Sequence, residues 1–518
     1  MQSPTRKPSK ALTFLAVPLI IAGCVSSGGI VPQSRATDPA SLDAGPAVRE
    51  ADASAHWPDA DWWRAYNDPQ LNALVAAAQA GSPTLAAAGA RVREAQSLAG
   101  VAKAALYPQV NGNLSITREH WPGDPTFYGP GTLANQQTWN NTGTVGLSYS
   151  LDMWGRDENA AHRALDAAHQ RAADARGAQL ELEVNVVRVY IDFSEQYALL
   201  DIATNTLARQ RQLADLARRR LAGGLGTQLE LSQAEAPIPE YERRIDAFGE
   251  AIELDRNQLA ALIGQGPGAG STLTRPTLVL TASAALPSKL PAELIGHRPD
   301  VVAARWAVAG EARGIDVARA AFYPNIDLIA SIGGFATTGP LFQFLHAANG
   351  SWTGGPALSL PIFDAGALRG RFGAASASYD EAIERYNGSV IGALKEIADQ
   401  LVRSRSLAVQ QQDAERSERV AEQTYQLSLL GFKRGLTDYV NVIVAEQQWL
   451  SAQDRVAQTR AERLAVYAAL MGALGGGLAV PADGPSEATM QPARKLTPFG
   501  VGAHKEAAAP SGASAVAR

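Results

Sequence analysis

From Trp154 to Leu221, and again from Ala365 to Lys433, the chain runs without a proline. The first stretch carries a helix-spaced stripe, Leu180, Val184, Val187, Ile191 and Leu200, in a background dense in alanine: Ala160, Ala161, Ala164, Ala167, Ala168, Ala172 and Ala173. A helix of about 68 residues is about 100 Å long at ~1.5 Å per residue, a rod that no ordinary globular domain needs. Small side chains let such rods pack closely along their length. Each is followed by a glycine-bearing turn, "AGGLGTQ" or "KRGLTD", and by a return helix expected over Thr227–Ile263 or Thr437–Met471.

The two rods belong to an internal repeat. "VAKAALYPQVNGNLSI" (101–116) matches "DVARAAFYPNIDLIASI" (316–332), "VGLSYSLDMWGR" (145–156) matches "PALSLPIFDAGALR" (356–369) more loosely, and "AGGLGTQLELSQAE" (222–235) matches "FKRGLTDYVNVIVAE" (432–446). Each unit opens with a helix; in the first, Ser82 caps, Pro83 suits the first turn, and Leu85, Val92 and Ala99 share a face. The period then changes to two. Val110, Gly112, Leu114 and Ile116 interleave with Asn111, Asn113, Ser115 and Thr117, and Val145, Leu147, Tyr149 and Leu151 interleave with Gly146, Ser148, Ser150 and Asp152. The second unit offers Ile326, Leu328, Ala330 and Ile332, then a less regular run at Ala357, Leu358, Leu360 and Ile362. The spacing predicts strand pairs over about 107–153 and 323–363.

No apolar run reaches the roughly 18 residues of a transmembrane helix, so a membrane crossing would have to use these strands. Each is near the 9–11 residues a membrane strand needs, alternating apolar and polar. An open sheet cannot sit in lipid with unpaired edges, and four strands are too few to close. Two chains would make eight strands and three would make twelve; arithmetic alone leaves both open.

The only cysteine lies in "LIIAGCVSSGG". Arg6, Lys7 and Lys10 precede a short apolar core from Ala11 to Gly23, the pattern of a secretory signal. Ile21-Ala22-Gly23-Cys24 resembles a bacterial lipobox, with cleavage between Gly23 and Cys24, Cys24 the lipid acceptor, and Val25 suiting outer-membrane sorting. A covalent lipid on Cys24 is the one non-protein group expected, and no cofactor or metal. The organisation read from this is a signal peptide at 1–23, a lipidated flexible leader at 24–56, a first repeat at 57–290, a second at 291–475 and a disordered tail at 476–518. A net charge of −5 and mean hydropathy of −0.11 give no reason to expect nucleic acid as a partner. No phosphate loop, nucleophile elbow or His-Glu-x-x-His motif is present, and nothing else points to an enzyme.

These features together with "WWRAYNDPQLNALV" (62–75), both Tyr-Pro strand entries, "GHRPDVVAAR" (296–305) and the paired "GLGTQLELSQAE" and "RGLTDYVNVIVAE" resemble the TolC-type outer-membrane channels, in particular the NodT/OprM-like lipoproteins of RND multidrug efflux. The resemblance covers roughly 57–475. It implies an α+β membrane protein closing as a homotrimer, with a 12-stranded β-barrel in outer-membrane lipid continued by a 12-helix α-barrel in the periplasm. It implies a passive exit duct for drugs or small solutes, served by a periplasmic membrane-fusion adaptor and an inner-membrane RND-type pump. Outlets for metal ions or for polypeptides are the alternatives within export, and a lipid-anchored coiled-coil scaffold is the alternative outside it.

The resemblance also places a periplasmic gate at the helix tips. Phe432 matches a position where the family often has a gating Tyr, Thr437 one that is often basic, and Asn441 and Val444 two that often carry acids. Glu230 matches the acidic position on the first tip, where threefold symmetry would make a carboxylate ring at the narrowest point; the other reading has it facing water on a polar helix. Arg218, Arg219, Arg220, Lys433 and Arg434 make the tips basic, as an adaptor-docking surface or as cations favourable at helix C-termini. Arg298, Pro299 and Asp300 read as a structural start to the second repeat's first helix, with Arg298 holding a carboxylate or carbonyl.

Overall fold

The computed structural model describes residues 28–49, 57–123, 133, 135–280, 297–336, 341–477 and 484–493. The elements run α1 (Gly45–Arg49), α2 (Pro69–Gly81), α3 (Pro83–Ala104), β1 (Gln109–His120), β2 (Gln137–Ser150), α4 (Arg156–Ala222), α5 (Gln228–Glu235), α6 (Ile238–Leu262), α7 (Pro299–Ala320), β3 (Asn325–Ala336), β4 (Gly350–Ser359), α8 (Ala367–Lys433) and α9 (Tyr439–Ala473). α4 and α8 have 67 residues each, about 100 Å of rod apiece.

The repeat shows in how each rod begins. The carboxylate of Asp152 accepts a hydrogen bond from the Glu158 N–H at 2.8 Å, and that of Asp364 accepts one from the Leu368 N–H at 2.6 Å. Gly155 (φ 68°) and Gly366 (φ 91°) turn the backbone into the helix through the left-handed region open to glycine. Ser82 sits at the N-cap of α3 without a side-chain cap bond, so Pro83 in the first turn is what starts that helix. The first return helix is broken, contrary to the single segment expected over Thr227–Ile263. Pro237, which has no N–H to donate, separates α5 from α6. β4 also lies earlier than its alternation suggested; Leu360 and Ile362 fall beyond its end at Ser359, next to Pro361.

The four strands form one antiparallel sheet in the order β1-β2-β3-β4. Among the helices α4 packs on α6 and α8 on α9, as two hairpins, and α4 meets α9 between them. The two outer helices of this four-helix row are thus α6 and α8. The largest core cluster lies between the sheet and the tips, where Trp62, Trp63 and Tyr66 meet Leu71, Val186, Val187, Tyr190 and Leu470. Asp68 ties it together: Oδ1 caps α2 through the Gln70 and Leu71 N–H groups, and Oδ2 accepts from the Tyr190 hydroxyl at 3.0 Å and the Thr277 N–H at 2.7 Å.

The described parts of the leader and tail are packed, where the composition suggested flexible chain. Gln33 and Ser34 donate their N–H groups to Asp380 of α8, both at 2.9 Å, and Thr37 donates to Asn387 at 2.8 Å. Ile30 packs with Phe322, Phe372, Tyr379 and Met490. The tail returns over the same region: Tyr379 donates to the Met490 carbonyl at 2.9 Å, and the Ala493 N–H donates to Asp316. Side-chain acceptors on α8 and α7 satisfy backbone N–H groups of the leader and the tail, a contact that polar composition alone does not reveal. Cys24 and Gly23 lie outside the described residues.

Candidate functional site: the sheet faces and the helical tips

Directly opposed residues of an antiparallel sheet share a face, so the register decides what each side presents. Val110 pairs with Leu147, Leu147 with Ala330 and Ala330 with Gly354; Gly112, Val145, Ile332 and Trp352 form the next row. With Leu114, Ile116, Tyr149, Leu328, Ile326 and Leu358 these rows make one apolar face, interrupted near its outer end by Asn141 opposite Ile116. Val145, Ile332, Trp352 and Leu358 are 51%, 67%, 80% and 68% exposed, far more than an isolated soluble sheet could sustain. The opposite face carries Asn111, Asn113, Ser115, Thr117, Thr142, Thr144, Ser148, Ser331 and Thr353, with Ile329 and Phe335 as apolar exceptions. At the rim away from the helices, the Arg118 guanidinium lies 5.6 Å from the Trp139 ring centroid, a cation and an aromatic paired where a membrane interface wants both. At the other rim Trp154 stacks on Tyr323 at 4.3 Å and donates its Nε1–H to the Pro324 carbonyl. The outer edges of β1 and β4 have no strand beside them among the described residues.

Strands of 10–14 residues span about 33–46 Å along their length, enough to cross the hydrocarbon core when tilted by ~40°. No helix among the described residues is long and apolar enough to cross a membrane.

At the far end of the rods both hairpins share one core, built from Leu213, Ala217, Leu231, Tyr425, Tyr439, Val442 and Trp449. The sequence-derived gate residues are placed unequally around it. Phe432 is 2% exposed inside this core, in contact with Tyr439 at 5.2 Å and with Arg220 over its ring at 4.8 Å. Glu230 is the third residue of α5, where its N–H donates to Thr227 Oγ1 at 3.2 Å in a Thr-x-x-Glu helix start; its Oε2 is shut from solvent beside Gly226. Thr437 accepts from the Asn441 side chain at 2.7 Å, and Val444 is 46% exposed.

The basic tip is also partly neutralised. Arg218 pairs with Asp215 at 3.2 Å and Glu235 at 2.8 Å, Arg219 with Asp215 at 3.0 Å, and Arg220 donates to the Leu225 carbonyl. Lys433 and Arg434 stay exposed, beside the exposed Leu225 and Leu436 of the two turns. Arg298 lies on neither the sheet nor the tips. It is 8% exposed just before Pro299, the first residue of α7, and holds Asp300 (2.7 Å), Glu396 of α8 (2.8 Å) and the Ala473 carbonyl of α9 (2.8 Å). It locks the start of the second repeat to that repeat's own hairpin.

A lipid-facing and a polar face on one open sheet, carried on twin helical hairpins, is a channel wall in search of its neighbours. The family profile described as outer membrane efflux protein matches residues 74–265 and 290–476, one match for each repeat. The chain belongs to the outer membrane efflux protein family. It is 63% identical over 377 residues to the fusaric acid resistance protein FusA of Burkholderia cepacia (73% of this chain, 71% of FusA). It is 31% identical over 440 residues to the multidrug resistance outer membrane protein MdtP of Escherichia coli K12 (82% and 88%). Among solved structures, the outer membrane protein VceC from Vibrio cholerae superposes with a TM-score of 0.75 at 32% identity, covering 81% of this chain and 100% of VceC. The outer-membrane channel OprN gives 0.77 at 26% identity (86% and 99%). This family member therefore resides in the outer membrane, has the fold of the trimeric efflux channels and serves as an efflux exit duct, as the sequence motifs implied.

The polar cluster around Arg209, Gln210, Tyr439 and Glu446, just above the tips, was missed by motif reading. Its members come from α4 and α9, one helix from each hairpin and more than 200 residues apart in sequence, so only the fold assembles them.

Proposed function

We propose that three copies close one twelve-stranded barrel by pairing β1 of each chain with β4 of the next. The four-helix rows close in the same sense, α8 of one chain against α6 of its neighbour. α8 carries an exposed apolar stripe suited to this, Ile391, Val402, Val409, Val420 and Leu427, whose spacings of 11 and 7 residues keep one helix face. The observation that carries the reading is the open sheet with one apolar and one polar face: it becomes stable in lipid only once its two edges are paired. The duct is passive, with no chemistry of its own. A periplasmic adaptor docks at the tips through Lys433, Arg434 and the exposed Leu225 and Leu436, more than through the self-paired Arg218 and Arg219, and an inner-membrane RND-type pump supplies the energy.

Cys24 carries lipid in this reading. The described leader starts beside the Arg369 side chain at Gly28 and then follows α8 away from the sheet, to Asp380 and Asn387.

The identity to FusA makes fusaric acid the first solute to test. A deletion strain should regain resistance with the wild-type gene, and the purified lipidated protein should be a trimer giving small, discrete currents in planar bilayers. A monomer without conductance overturns the channel reading; a conducting trimer without fusaric acid resistance overturns only the solute.

A further inference from the structure

We propose that Glu446 is a proton-sensitive latch between the two helical hairpins near their tips, whose ionisation loosens the hairpins and favours opening. The latch deepens the channel reading above and rests on the tips being its gate.

Glu446 sits on α9 with 2% of its surface exposed, in the layer where both hairpins share one core. Its Oε1 is buried with no hydrogen-bond partner. The nearest cation, Arg209 of α4 in the other hairpin, brings Nε only to 4.0 Å, and that Nε is itself buried without an acceptor. The Arg209 guanidinium is instead spread over the Trp449 ring at 4.3 Å and donates to Thr206 Oγ1 at 2.8 Å. A buried ion pair that lacks its direct hydrogen bonds does not recover the cost of desolvating both charges. The packed tip therefore accommodates a neutral Glu446 better than an ionised one.

The groups facing Glu446 from the surrounding helices do not change this balance. Tyr241 on α6, Tyr425 on α8 and Tyr439 on α9 are each pushed up to about 12, mainly by burial, and stay neutral across the physiological range. Arg244 of α6, which acts on Tyr241, is engaged by Asp454 at 2.7 Å. Arg209 is left as the only cation among the described residues acting directly on the carboxyl, and burial outweighs it, pushing Glu446 up to about 7.

The sign follows. When the hairpins part, water reaches the carboxyl and its affinity for the proton falls back toward the ordinary range. The packed state thus binds the proton more tightly and is favoured at low pH. Its advantage declines as pH rises from the ordinary carboxylate range through about 7, by at most about tenfold per pH unit per chain. In a symmetric trimer the same latch occurs three times, which steepens the response.

The test is open probability of the purified protein in planar bilayers from pH 5.5 to 8, for wild type, Glu446→Gln and Arg209→Gln. A parallel distance measurement uses spin labels on Leu225→Cys and Leu436→Cys, one on each tip turn. Wild type should open several-fold more often at pH 8 than at pH 6, with the label distance broadening alongside. Glu446→Gln, which keeps the shape, should hold the low-pH behaviour throughout, and Arg209→Gln should move the midpoint upward. A wild-type profile that is flat, or one that Glu446→Gln leaves unchanged, overturns the latch. The label distances decide this even for a protein that passes no current, an outcome that would instead remove the channel reading.

Discussion

Placing Arg at Ile332 or at its neighbour Ser331 tests the assignment of the sheet's two faces with two variants one residue apart. Ile332 stands on the apolar face opposite Val145 and Trp352, seven residues past Asn325 and four before Ala336. At ~3.3 Å per residue and ~40° tilt it lies about 10 Å below the strand's outer end, near the middle of a ~25 Å apolar band. An Arg at that depth on the lipid face costs about 2–4 kcal/mol, and three copies in a trimer about 6–12 kcal/mol. Ser331→Arg projects to the other face, into water, where a substitution changes stability by about 0.5 kcal/mol or less per chain. The assay is the temperature at which the trimer band dissociates on a semi-native gel, with single-channel selectivity measured on the same preparations. Ile332→Arg should abolish or sharply lower trimer recovery. Ser331→Arg should leave it intact and shift the current toward anions. Equal losses for both, or a greater loss for Ser331→Arg, would refute the facing.

Asp68→Ala removes the cap of α2 and the acceptor for both Tyr190 and Thr277, and should destabilise the fold by about 2–3 kcal/mol in thermal unfolding, since a cap is worth ~1 and a stranded buried donor ~1–3. Asp380→Ala should free the leader from α8, read as faster proteolytic cutting after Arg35 with little change in unfolding temperature. Burial and then the nearby Asp192, Glu462 and Asp255 push Glu195 up to about 7. A raised carboxyl favours the folded state below its ordinary value, and that contribution is lost as pH rises through about 7, so unfolding temperature should fall between pH 6 and 8 and fall less in Asp192→Asn.

Periodicity made the rods, the strand pairs and their duplication legible, because a period of 3.6 or of 2 held for many residues determines an element whatever it packs on. Boundaries suffered where a single residue overrules the period. Pro237 splits the return helix although Leu229, Leu231 and Tyr241 continue its pattern, and Pro361 leaves Leu360 and Ile362 outside β4. The straps at residues 28–49 and 484–493 look like unstructured chain because the groups that hold them, Asp380, Asn387, Asp316 and Tyr379, are hundreds of residues away or face them from other elements. The tips show the same limit. The row of arginines at 218–220 reads as bare positive charge until Asp215 and Glu235 are seen beside it.

The unpaired outer edges of β1 and β4 have a genetic consequence. Every chain must offer one edge and receive another, so a ring is only as sound as its worst seam. An allele whose β4 cannot pair, yet whose β1 still can, would enter rings with normal subunits and leave them open. At equal expression with random mixing, only about one ring in eight would contain three normal chains. Such an allele would act as a dominant poison of efflux, whereas an allele that never reaches the outer membrane would be silent beside a normal copy.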